Sequence, residues 1–521
     1  MKFTKAKFFT LLGWLLLCLL LELGLCLCFT LPWAQQIFGG VSAEEILFHL
    51  KVPLKGTDFS TIRSFIKHAL LPSLFIFIVI VFIFIFLPRY ERFVSEKKNP
   101  KTSAFFECAF LKCLRGKRSY TFVKLPTWLL TLLTLVLLAT QIYQACKIYS
   151  VADYIKRQFT SSTWIEEHYV EPSDSLLSWP EEKRNLIYIF LESMESSYAS
   201  KEDGGAFDSD LIPELTKLAK DNISFSHLDY GIGGAYPVAY TGWTMAAMFA
   251  QTTGLPLKIP VQGNSMSEYS SFLPGAVSIG DILEDTGYRN CLLLGSDSVF
   301  GGRRNYFESH GNYEIRDYGW ALETNLIPEG YHVFWGMEDY YLFEAAKSTL
   351  LELANDKQPF NLTMLTVDTH MPDGYRCDLC EYEHDSDYQD ALSCSSRQVA
   401  KFIEWICEQD FYQNTSIVIV GDHISMSTTL NENLNNYDRR VYNCFINSAV
   451  SASSTANRSF TTLDLFPSTL AALGIEIEGE RLGLGTNLFS SEPTLTEIFG
   501  TEYEDTELEN FSSFYNNHFL Y

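Results

Sequence analysis

Ser416-Ile417-Val418-Ile419-Val420-Gly421-Asp422-His423 is a short run of β-branched residues that stops on a glycine, an acid and an imidazole. A few consecutive apolar residues bounded by charge or turn residues predict a strand buried on both faces. Three more segments have this shape. The run from Lys183 through Leu191 ends on Glu192, Cys291-Leu-Leu-Leu-Gly295 opens onto Ser296-Asp297, and Phe360 to Val367 opens onto Asp368-Thr369-His370. Helical stretches separate them at 212–220, 279–286, 341–354 and 397–409. Strands alternating with helices predict an α/β domain with a largely parallel sheet. Such sheets bind ligands at the carboxyl ends of their strands. Glu192, His370, Asp422 and His423 all fall on that edge.

A second stretch supplies a hydroxyl. Gly231-Ile-Gly-Gly-Ala-Tyr-Pro-Val-Ala-Tyr-Thr241-Gly-Trp-Thr-Met-Ala-Ala-Met runs from a glycine-rich approach into a small-residue helix. This places Thr241 at or near a helix N-terminus, where free N–H groups and the helix dipole favour negative charge. A hydroxyl there can act as a nucleophile and carry a phosphoryl group, although threonine is also a common helix cap. Glu192, Asp422, His423 and the Thr241 hydroxyl together make a one-metal site suited to Zn or Mn. Taken alone, Asp422-His423 reads equally well as a turn aspartate and a surface histidine; beside Glu192 and Thr241 it reads as ligands. Glu195 is expected on a solvated helix surface. His370 can exchange protons with a leaving or attacking hydroxyl, or orient its own loop. Arg303 and Arg304, in a glycine-containing turn, can grip a phosphate as planar forks.

The N-terminal part is different in kind. Three apolar runs, at about 8–32, 69–88 and 126–145, are each long enough to cross a bilayer as helix. Lysines precede the first run, and ten Lys and Arg residues between Arg89 and Lys124 separate the second from the third. The positive-inside rule then puts the N-terminus in the cytoplasm and everything after about Cys146 outside. Glu22, inside the first run, is expected near an interface or facing the other spans. The chain carries 39 Lys and Arg against 63 Asp and Glu, a formal net charge of −24. Most of the acid lies in the outer part, which argues against nucleic acid as a partner. The expected organisation is a membrane region at 1–146, a connector at 147–182, a catalytic domain at 183–495 and a C-terminal tail at 496–521.

These residues together resemble the membrane-anchored phosphoglycerol transferases, the lipoteichoic acid synthase-like branch of the alkaline phosphatase and sulfatase superfamily. The resemblance is carried by 183–196, by Tyr240-Thr-Gly-Trp-Thr-Met-Ala-Ala-Met, Asp368-Thr-His-Met-Pro-Asp-Gly and Gly421-Asp-His, and by Thr462-Leu-Asp-Leu-Phe-Pro-Ser and Arg481-Leu-Gly-Leu-Gly. It implies a sulfatase-like extracytoplasmic domain behind three spans, on a bacterial cell membrane. It implies one divalent metal held by Glu192, Thr241, Asp422 and His423, with Thr241 as nucleophile. It further implies contact of His370 and Arg303 with phosphoglycerol, phosphatidylglycerol in the membrane lipid as donor, and a glycan or glycerol-polymer acceptor.

Departures are equally specific. Gly301 stands where lipoteichoic acid synthases have a tryptophan, and three spans replace their usual five. The Cys/Ser-x-Pro-x-Arg setting of sulfatases is missing around Thr241. Phosphoethanolamine transferases are the alternative enzyme reading, and an inactive membrane sensor or scaffold the alternative of another class. In an oxidising compartment a disulfide from Cys377 or Cys380 to Cys394 is expected to staple the loop after His370.

Overall fold

The computed structural model describes residues 5–39, 41–49, 51, 59–96, 127–259 and 272–520. The charged loop from Lys97 to Lys124 and Lys2, which carry much of the orientation argument, lie outside the described residues. The chain divides into two compact units, 1–36 with 59–148, and 37–58 with 149–521.

Among the described residues, three helices are long and apolar enough to cross a membrane, with spans at Leu12–Phe38, Thr61–Ile83 and Trp128–Ile148. The chain is thus an integral membrane protein. Each span starts or ends a few residues from its expected place. Glu22 has a partner that the sequence did not reveal: Ser73, near the start of the Leu71–Glu96 helix, donates a 2.8 Å hydrogen bond to Glu22 Oε1. The acid therefore faces a second helix, as the cost of an unpaired charge in hydrocarbon requires.

The second unit is built on a six-stranded sheet: β1 (Asn185–Leu191), β2 (Arg289–Leu294), β3 (Glu314–Arg316), β4 (Phe360–Leu365), β5 (Thr415–Gly421) and β6 (Asn443–Ile446). The order is β3-β2-β4-β1-β5-β6, parallel throughout except for β6, which runs antiparallel to β5. All four expected strands are present, and the order puts the strands that lead to Glu192 and Asp422 side by side. Side chains alternate across a strand. Leu186, Tyr188 and Phe190 enter one core, while Ile187, Ile189 and Leu191 enter the other. Both faces are covered, which is why the strands read as unbroken apolar runs.

Helices Pro213–Asp221, Ile279–Asp285 and Asp339–Asn355 match expectation within two residues, but Asp387–Cys407 begins ten residues early. Its first half is polar in sequence yet buried, with Ser393, Ser395 and Ser396 all inside. The expected connector belongs to the second unit. So does the expected tail, which is no tail: Leu508, Tyr515 and Phe519 are fully buried in the core that contains β1's aromatic face. Lys258 Nζ donates to the Leu508 and Asn510 carbonyls, and Tyr515 OH to the Pro256 carbonyl at 2.6 Å. Such mixed apolar and backbone contacts leave no periodic signal in a short acidic segment.

Candidate active site

The register of β1 on β5 builds the centre of the site. Leu191 pairs with Gly421, so Glu192 and Asp422 emerge beside each other. Gly421 is required here because a Cβ would lie 1.9 Å from the Met194 carbonyl oxygen. Asp422 Oδ1 accepts from the Ser193 and His423 amides, both at 2.7 Å, which fixes the carboxylate. His423 Nδ1 bonds the Ile424 carbonyl at 2.8 Å. That bond makes Nδ1 the protonated nitrogen and leaves Nε2 with its lone pair, as a metal ligand needs. Nε2 lies 3.3 Å from Asp422 Oδ2 and 3.6 Å from Glu192 Oε1.

Three ligand-type atoms, from Glu192, Asp422 and His423, thus lie within 4.8 Å of one another, all buried. Asp422 Oδ2 has no hydrogen-bond partner among the described residues. An ionised oxygen without a partner in a buried site is costly, and a divalent cation would satisfy it. The donor set, two carboxylates and one imidazole, fits Zn or Mn. Burial, with the neighbouring Glu192 charge, pushes the Asp422 carboxyl up to about 7. Burial also acts to raise Glu192, but His370, His423, Ser193 and Arg303 together pull it below its ordinary value. His423 is raised, because the two carboxylates outweigh its burial.

The hydroxyl at this cluster belongs to Thr244. Its Oγ1 lies 3.4 Å from Glu192 Oε2 and 3.4 Å from His423 Nε2. Thr244 opens the helix Thr244–Thr253, whose remaining nine residues are all buried. Gln251, near its far end, donates to the Gly421 and Asp422 carbonyls at 3.0 and 2.9 Å, locking the helix to the strand end. Thr241, the residue expected here, lies elsewhere. Tyr240 turns through φ +63°, and the fully buried Thr241 hydroxyl donates to the Val238 carbonyl at 2.7 Å. The bonded hydroxyl caps a turn three residues before the helix. Sequence reasoning placed the helix start one turn early; the change from Gly-Trp to Thr-Met-Ala-Ala marks the true start.

His370 stands at the rim, half-buried, with Nδ1 on the Met371 carbonyl at 2.9 Å and its ring 4.6 Å from that of Trp335. Trp335 also packs 5.2 Å from Phe300. An aromatic wall thus reaches the site from another loop, where Gly301 provides none. Arg303 is buried, held by the Asp297 and Phe300 carbonyls at 2.9 and 3.0 Å. Burial lowers its guanidinium to about 10, against the pull of Glu192 and Asp297. Arg304 instead pairs with Glu308 and Asp317. Glu195, expected in solvent, is fully buried and forked by Arg439, with the Ser425 amide at 2.8 Å. The Cys377 sulfur lies 3.7 Å from that of Cys380 and 3.8 Å from that of Cys394; all three are free thiols. The residues expected to pair therefore meet, but without a bond.

Residues 184–475 match the family model described as Sulfatase, and the chain belongs to that family. Among individual proteins it is similar to phosphoglycerol transferase I of Escherichia coli, 34% identical over 64% of this chain and 42% of that protein. It is also similar to phosphoglycerol transferase I of Citrobacter koseri, 33% identical over the same shares. The chain therefore spans about two fifths of the length of these relatives. Among solved structures it is similar to the lipoteichoic acid synthase LtaP from Listeria monocytogenes, 18% identical, covering 63% of this chain and 81% of that one with a TM-score of 0.47.

Proposed function

We propose that this chain is a membrane-anchored phosphotransferase that moves phosphoglycerol from phosphatidylglycerol to a hydroxyl of a glycan or glycerol-polymer acceptor, with Thr244 as nucleophile. The observation that carries this reading is the position of Thr244 Oγ1, at a helix N-terminus and within 3.4 Å of both Glu192 and His423. The relatives named phosphoglycerol transferase I supply the substrate class. Glu192, Asp422 and His423 would hold one divalent ion, Zn or Mn, which when bound would favour the ionised Thr244 hydroxyl and offset charge on phosphoryl oxygens.

In the first half-reaction Thr244 gives its hydroxyl proton to solvent, Oγ1 attacks phosphorus, the bond to the diacylglycerol oxygen breaks, and diacylglycerol leaves with a proton from His370. A glycerophosphoryl ester remains on Thr244. In the second, an acceptor hydroxyl gives its proton to His370 and attacks phosphorus, and Thr244 departs and takes a proton back from solvent. The N–H groups that open the helix favour the negative charge near Thr244 in both steps, and Arg303 adds its positive field. The spans hold this chemistry near a lipid donor; the positive-inside argument puts it outside the cytoplasm.

The test is diacylglycerol release by the purified full chain from labelled phosphatidylglycerol and phosphatidylethanolamine, offered separately with Mn²⁺ or Zn²⁺. Release from phosphatidylglycerol, with a glycerophosphoryl adduct on Thr244 by mass spectrometry, is expected. Release from phosphatidylethanolamine alone would make the chain a phosphoethanolamine transferase, and release from neither would end both lipid-donor readings.

A further inference from the structure

One short helix in the second unit comes from the membrane half of the sequence. Ala43–His49 lies between the helix that ends at Phe38 and the one that opens at Phe59. Ser42 caps it: its hydroxyl accepts from the Glu45 amide at 3.1 Å and its carbonyl from the Ile46 amide at 3.2 Å. Phe48 is only 1% exposed and belongs to the core cluster that contains Trp243. The Phe48 and Trp243 rings lie 5.6 Å apart, directly before Thr244. The His49 ring stacks 6.0 Å from Phe300, three residues before Arg303. Just upstream, the Gly39 backbone approaches the Met426 carbonyl so closely that a Cβ would stand 2.8 Å from it, and Met426 follows His423 by three.

The helix therefore touches the approach to Thr244 and to Arg303, and the Gly39 turn before it touches the approach to His423. Two of its polar side chains are felt there. Glu45 is buried and sits in the field of His423. His49, whose side chain keeps 32% exposure, feels His370. Burial and that neighbour hold His49 down at about 4, so a ligand meets a neutral imidazole that can both donate and accept a hydrogen bond. A core contact does not call for an imidazole that stays partly exposed beside Phe300. A group that receives a headgroup does.

We propose that the Ala43–His49 helix is the donor-side wall of this site and that His49 is a substrate-binding residue for the phosphodiester headgroup of a glycerophospholipid. The inference rests on the phosphotransferase reading above. Along the chain the helix lies between two apolar spans, Leu12–Phe38 and Thr61–Ile83. Arg303 is held by backbone carbonyls and supplies charge, whereas the His49 ring, with Nε2 4.0 Å from Glu45 Oε1, can offer a hydrogen bond to the ligand.

The experiment uses the full chain in lipid nanodiscs with metal bound, comparing the parent with His49→Ala and His49→Gln. Diacylglycerol release from phosphatidylglycerol is measured beside cleavage of the soluble diester bis-p-nitrophenyl phosphate and bound metal per chain. The inference expects His49→Ala to lower kcat/KM for the lipid by at least about tenfold more than for the soluble diester, mostly through KM. His49→Gln, which keeps a donor, should recover part of the loss. Equal losses on both substrates, or a loss that follows lost metal, would make the helix a structural support and overturn the inference; so would unchanged lipid turnover. If the parent itself releases no diacylglycerol, the phosphotransferase reading falls first. The wall is then judged by glycerol 1-phosphate affinity: tenfold weaker binding to His49→Ala would sustain it, and equal binding would end it.

Discussion

Glu192 and Glu195 leave the same strand three residues apart, are both buried, and meet opposite fates. Glu195 is fully satisfied. Arg439 forks it, the Ser425 amide and the Ser197 and Tyr198 hydroxyls donate to it, and its charge is balanced within the protein. Glu192 faces another acid and a histidine, and the acid beside it keeps an oxygen without a hydrogen-bond partner among the described residues. Burial therefore does not distinguish a functional acid from a structural one here. The state of the partners does: a completed ion pair fixes a loop, while an incomplete cluster of ligand atoms awaits a cation.

Breaking the incomplete cluster should have the largest effect. Asp422→Asn is expected to abolish stoichiometric binding of Zn or Mn and to lower turnover by about a thousandfold or more. Without metal, the variant should unfold at or above the temperature of the metal-free parent, since it removes a crowded buried charge. A clear fall in that temperature would place Asp422 in the same structural class as Glu195. Metal content by mass spectrometry and a thermal scan decide the matter.

The two threonines come next. Thr244→Ala should lose turnover by about a thousandfold while binding metal within a few-fold of the parent. Thr241→Ala should keep turnover within a few-fold and lose about 1 kcal/mol of stability, the worth of one buried hydrogen bond. The opposite pattern would return the nucleophile to Thr241.

The completed pair should respond in stability rather than chemistry. Glu195→Gln leaves the Arg439 guanidinium facing a neutral amide and should destabilise the second unit by roughly 3 kcal/mol, with metal content unchanged. Adding Arg439→Met should recover part of that loss. Metal loss in Glu195→Gln, at temperatures where the protein stays folded, would erase the distinction between the two glutamates.

A third buried acid sharpens the contrast with a smaller effect. Among the described residues Glu504 forms no ion pair and joins no ligand cluster, and the Thr496 hydroxyl donates to it at 2.6 Å. Burial raises its carboxyl from 4.5 to about 8, so the folded chain keeps a proton that the unfolded chain releases. This contribution to stability is complete below about pH 4.5 and is lost as the pH rises toward 8. Glu504→Gln should therefore match the parent near pH 4.5 and exceed it at pH 8 by on the order of 4 kcal/mol. A constant difference across that range would mean that Glu504 is ionised in the folded chain.

The sequence by itself determined the strands, because a run buried on both faces must be apolar throughout, and that pattern is local. It likewise determined the spans, set by bilayer thickness, and the acids and imidazoles at the strand ends, because a turn after an apolar run is short. Thus Glu192, Asp422, His423 and His370 were legible one by one. Four things were decided by tertiary structure. The register of β1 on β5 placed Glu192 beside Asp422. The turn at Tyr240 moved the helix start to Thr244 and left Thr241 bonded to its own loop. Arg439, 244 residues along the chain, turned Glu195 from an expected surface acid into a buried ion pair. The fourth is the placement of Ala43–His49 against Trp243 and Phe300. Each depends on contacts between distant segments, whose energy is set by what fills the space opposite. A pattern of neighbours in sequence carries no record of that.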